Sequence, residues 1–148
     1  MGVMGEEASI QTLIAFLHEE LAAVASYRRA LPGIADTEDA EELRACLASH
    51  ERRIAMLEQR IRFLGGDPQV YEEIGSETSG AVGPSALGAG GDAAIDALEA
   101  SEDRGLKHYL DDVCKLDRDT RTLVAREILP EQVRTYDSLA DLKLTRRL

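Results

Sequence analysis

Apolar residues recur at three- and four-residue steps through most of the chain, the pattern of helices that bury one face. The first such stretch is LIAFLHEELAAVASYRRAL, residues 13 to 31, with a seam of Leu13, Leu17, Glu20, Val24, Tyr27 and Leu31. A helix is predicted over 9–31, with Ser9 as its N-cap and Pro32-Gly33 as its stop; residues 1 to 8 read as a loose end. A second helix is predicted over 37–64, capped by Asp36 or Thr37, with acidic residues (Glu38, Asp39, Glu41, Glu42) at its positive end and Gly65-Gly66 at its close. Its seam is regular: Leu43, Leu47, His50, Ile54, Leu57, Ile61, Leu64. A third helix over 92–116 carries Ile95, Leu98 or Glu99, Glu102, Leu106, Tyr109, Val113 and Leu116. A fourth over 118–142 carries Val124, Ile128, Glu131, Thr135, Leu139 and Leu142. Pro130 falls inside that last pattern and is expected to kink or split the helix. The basic tail KLTRRL is expected to fray.

Between the second and third helices, residues 65–91 are rich in Gly, Ser and Pro and have no period. Such a loop is either a linker between two separate hairpins or a crossover along a bundle. A 28-residue helix is about 42 Å long, a distance the loop can span at about 3.3 Å per residue. Neither hairpin alone could bury both its faces, which favours the crossover and a single four-helix domain over 1–148.

At 148 residues the chain can bury a sizeable core. Its net charge of −11 argues against a nucleic-acid surface. No stretch approaches the roughly 18 apolar residues of a membrane span, and MGVMGEEASI has no signal-peptide character. A cytoplasmic location with reduced cysteines is expected. Cys46 and Cys114 fall at different depths, so no disulfide is expected between them.

Each predicted helix has one polar residue on its seam near mid-length: Glu20, His50, Glu102 and Glu131. Buried carboxylates need compensation. Four aligned helices would bring these residues into one layer, with Glu51 in reach from the edge. Hard oxygen donors with an imidazole suit Fe, Mn or Zn. Two other readings compete. Seam glutamates often turn outward to solvent. Arg53 also lies one turn after His50, and a guanidinium there would satisfy the carboxylates with no metal present. His18 and His108 read as surface residues, and Tyr27 and Tyr109 as core residues with a hydroxyl partner.

Several segments resemble the ferritin-like superfamily, in particular an uncharacterised bacterial ferritin-like family. Glu20 through Tyr27 resembles a run in which a ligand Glu is followed seven residues later by Tyr. Ile61 through Pro68 is similar to the family's second-helix end, and Glu102 through Lys107 to its third-helix ligand segment. The resemblance implies an all-α, ferritin-like four-helix up-down bundle whose second and third helices are parallel across a long crossover. Metal-binding members carry Glu-x-x-His on the second and fourth helices; here those positions read His50-x-x-Arg53, and neither Glu131 nor Gln132 is followed by His at the required step. The expected function is a non-catalytic ferritin-like protein with a polar core and a degenerate or single metal site. The alternatives are a divergent di-metal oxidase or peroxide-consuming protein, and a metal-free interaction module in stress physiology. A homodimer is expected, with neither nucleic-acid nor membrane partners.

Overall fold

The computed structural model describes residues 3–69 and 91–147, and the described residues are all-helical, without strands. Helix α1 spans Val3–Ala30, α2 Thr37–Phe63 and α3 Gly91–Asp112. The fourth rod is composite: α4 (Arg118–Leu123), a π-helical turn (Val124–Ile128) and α5 (Leu129–Arg147). The loop predicted over 65–91 lies, from 70 to 90, outside the described residues.

Local chemistry sets the ends of these helices. Pro32-Gly33 converts the end of α1 into a short 3-10 turn, Leu31–Gly33. Asp36 caps α2 by accepting from the Asp39 amide at 2.9 Å. Gly65 closes α2 at φ +94°, with the Gly66 amide on the Ile61 carbonyl (2.9 Å) and the Gly65 amide on that of Arg62 (3.0 Å), the paired bonds of a Schellman ending. Asp117 caps α4 by accepting from the Thr120 amide at 3.2 Å.

Several predicted boundaries move. Helix α1 begins at Val3 and runs through residues 3 to 8, so Ser9 is not a cap. Ser9 is buried, and its Oγ accepts the Asp117 amide at 2.7 Å. Helix α3 ends at Asp112 because a 3-10 turn, Val113–Lys115, leads into the Asp117 cap. Helix α5 continues to Arg147, so the tail expected to fray is helical, with Leu144 exposed. Pro130 stands two residues past the π turn in a rod that stays helical across it, so it neither splits nor ends the helix. Just before it the Leu129 amide reaches back five residues to the Val124 carbonyl.

The core falls into two apolar clusters. One joins Tyr27, Leu43, Cys46, Ile95, Leu98 and Leu139. The other joins Leu13, Leu17, Leu57, Ile61, Tyr109 and Ile128. Following each helix from one cluster to the other gives its direction. Helix α1 is antiparallel to α2, α3 is antiparallel to the α4–α5 rod, and α2 and α3 are parallel. Among the described residues no helix is long and apolar enough to cross a membrane.

Candidate functional site

Between the two apolar clusters lies a polar layer supplied by all four rods. Glu20 comes from α1, His50 and Arg53 from α2, Glu102 from α3, and Gln132 and Thr135 from α5; all six are buried. His50 bridges the two carboxylates. Its Nδ1 is 2.5 Å from Glu20 Oε1 and its Nε2 2.6 Å from Glu102 Oε2.

Arg53 fills the rest of the layer and has no exposed surface. Its Nη1 donates to Glu20 Oε2 at 3.3 Å and to Gln132 Oε1. Its Nη2 donates to Thr135 Oγ1 at 3.0 Å and Ser49 Oγ at 3.3 Å. The remaining acceptors are also used. Tyr109 donates to Glu20 Oε2 at 2.5 Å, and Tyr27 donates to Glu102 Oε2. Thr135 donates to Glu102 Oε1 at 2.7 Å, and Gln132 Nε2 to that same oxygen at 3.0 Å and to the Glu102 carbonyl at 2.8 Å. Gly105 leaves room for this: a Cβ there would stand 3.1 Å from Gln132 Nε2.

The charges balance. Burial opposes ionisation of Glu20, but His50 and Arg53 outweigh it and hold the carboxyl below its ordinary value. Burial likewise opposes ionised Glu102, and His50, Tyr27 and Thr135 hold it low. Burial pulls His50 down, while Glu20 and Glu102 raise it above its ordinary value. Two carboxylates thus face one imidazolium and one guanidinium, and the layer is neutral as a whole. Burial and the neighbouring carboxylates push both phenols up, so Tyr27 and Tyr109 remain donors.

Glu20, His50 and Glu102 therefore come together as predicted, whereas Glu51 and Glu131 do not join them. Glu51 is exposed and pairs with Arg28 at 2.9 Å. Glu131 sits one position off the α5 seam, just after the π turn. There it accepts a hydrogen bond from Ser49 Oγ (3.3 Å), pairs with Arg52 (2.9 Å) and also pairs with Arg134. Gln132 holds the inward position instead. His108 is half-buried rather than solvated: its ring meets Phe16 edge-on, and its Nε2 is 3.2 Å from Asp112. Cys46 is buried and Cys114 exposed, both as free thiols.

The donor set does not fit a metal. A ligating imidazole turns one nitrogen to the ion and the other to a supporting group, but each nitrogen of His50 holds a carboxylate. The imidazole thereby separates Glu20 from Glu102, and a fixed cation occupies the opposite side. Among the described residues no group of three or more His, Cys, Asp or Glu is placed to hold a metal ion. The hollow beside the layer measures about 10 Å³, the lower limit for one water. No family model, curated protein or solved structure matches the chain.

Proposed function

We propose that this protein is a ferritin-like bundle whose core is closed by an internal ion network where metal-binding members place their ligands, and that it is non-catalytic. Ferritin-like di-metal sites draw one Glu from each of two helices and Glu-x-x-His from each of the other two. The corresponding positions here are Glu20, His50-x-x-Arg53, Glu102 and Gln132-x-x-Thr135. They lie on four successive rods and converge in one layer. The parallel run of α2 and α3 supports a crossover through residues 70–90. The observation that carries the reading is Arg53, fully buried with its guanidinium on Glu20, Gln132, Thr135 and Ser49. A cation built into the chain takes the electrostatic role of a bound one, and the layer leaves no open coordination position and no room for a substrate.

The test has two arms. Wild-type protein reconstituted with Fe(II), Mn(II) or Zn(II) and desalted is expected to retain far less than one metal per chain by elemental analysis. Stoichiometric metal overturns the closed core. The combined variant His50→Glu, Arg53→His, Gln132→Glu, Thr135→His is expected to gain metal-dependent helicity and to hold metal stoichiometrically. Failure of that variant to bind metal in any state overturns the ferritin-like alignment.

A further inference from the structure

Outside the polar layer, the richest chemistry lies between α2 and α5. Small side chains there, Ala45 and Ala48 on α2 and Ser138 on α5, leave the space between the helices unfilled, a cleft of about 210 Å³. That is an order of magnitude more than the roughly 10–15 Å³ a single water needs. Opposite charges line its two ends. Arg52 and Arg134 stand at one end. Glu42 lies ten positions before Arg52 on the same helix, about 15 Å of rise away.

The arginine end already holds a carboxylate. Arg52 donates through Nη2 to Glu131 Oε1, and Arg134 pairs with Glu131 Oε2. Each guanidinium has five N–H donors in a planar fork suited to two-point recognition of a carboxylate, and Glu131 engages only one nitrogen of each. Glu131 is thus an internal occupant of a site with donors to spare. At the other end Glu42 repels a simple polyanion and attracts a cation, while Ser138 adds a hydroxyl to the lining.

We propose that this cleft binds a small zwitterion. Its carboxylate takes the place of Glu131 on Arg52 and Arg134, and its ammonium group lies toward Glu42. The separation of Glu42 from Arg52 along α2 suits charges several bonds apart, as in an ω-amino acid or a dipeptide, better than an α-amino acid. The proposal does not rest on the core being metal-free.

Calorimetric titration of the full chain with 6-aminohexanoate and with glycylglycine tests it, using hexanoate as the control lacking the cation. Wild type is expected to bind in the millimolar range. Glu131→Gln removes the internal competitor and is expected to bind about tenfold more tightly, whereas Arg52→Gln with Arg134→Gln is expected to lose at least about tenfold. Glu42→Gln is expected to erase the preference for 6-aminohexanoate over hexanoate. Circular dichroism confirms that these surface variants fold. Absence of heat with both wild type and Glu131→Gln overturns the proposal, as does binding that survives loss of both arginines or equal binding of hexanoate by wild type.

Discussion

Two glutamate–arginine groups sit side by side in this molecule and behave as opposites. In the core, Arg53 and Glu20 are sealed from water and every neighbouring acceptor is used. On the surface, Glu131 is held between Arg52 and Arg134, whose side chains are 56% and 60% exposed. The residue types are the same but the energetics differ. An exposed pair is screened and spends side-chain entropy to form, so it contributes little. A buried pair contributes little when compared with a well-packed apolar replacement, yet removing one partner strands the other charge. Burial thus turns an interchangeable contact into an all-or-none one.

The sharpest way to break the contrast is Arg53→Leu. It leaves Glu20 without its guanidinium and is expected to cost about 3–5 kcal/mol in denaturant unfolding. The double variant Arg53→Leu, Glu20→Gln is expected to lose less than Arg53→Leu alone, since the stranded charge is gone; a double loss equal to the sum of the two single losses would show that the side chains are not coupled. Proton titration probes the same layer more gently. His50 has a raised folded value, so its contribution is complete below its ordinary 6.5 and disappears as pH rises through that folded value. Glu20 and Glu102 have lowered folded values, so theirs is complete above the ordinary 4.5 and is lost as pH falls through those values. Stability is expected to plateau between about 4.5 and 6.5 and to decline on both sides; His50→Gln flattens the alkaline decline.

Gly105→Ala tests whether the layer tolerates a methyl group. Ala gains about 1 kcal/mol of helix propensity, but crowding Gln132 disturbs buried hydrogen bonds that cost about 1–3 kcal/mol to lose. A net loss of about 1 kcal/mol is expected, and the sign should reverse in a Gln132→Ala background, where the helix gain remains. The smallest effect belongs to the surface group. Glu131→Ala is expected to change stability by less than about 1 kcal/mol and to do so less at high salt. A loss as large as that of Arg53→Leu would erase the distinction between the two groups.

Helix seams were the most legible part of the fold. Leu43, His50, Leu57 and Ile61 on α2 all face the core as periodicity predicts, because a long, uninterrupted α-helix keeps its phase. The site was legible where seams were continuous, as at Glu20, His50 and Glu102. It was misread at Glu131, where charge drew attention but the seam passes through Gln132. Adjacent positions differ by only about 100°, and the π turn at Val124–Ile128 alters the phase in a way that residue spacing does not reveal. Arg53 could be weighed against a metal but not decided upon, because an arginine one turn beyond a seam histidine can point inward or outward. Only the packed neighbours, Ser49, Gln132 and Thr135, fix which. Gly105 carried no signal in the pattern, since its importance lies in the atom it lacks.

The bond from the Asp117 amide to Ser9 Oγ joins residues 108 positions apart. Local turns can form as soon as their few residues meet, but this contact needs nearly the whole chain in place. Native contacts so distant in sequence slow folding, because loop closure comes before any energetic return. The first turns of α1 are therefore expected to dock late, after the α3–α4 corner has formed. Ser9→Ala should then speed unfolding while leaving the refolding rate nearly unchanged.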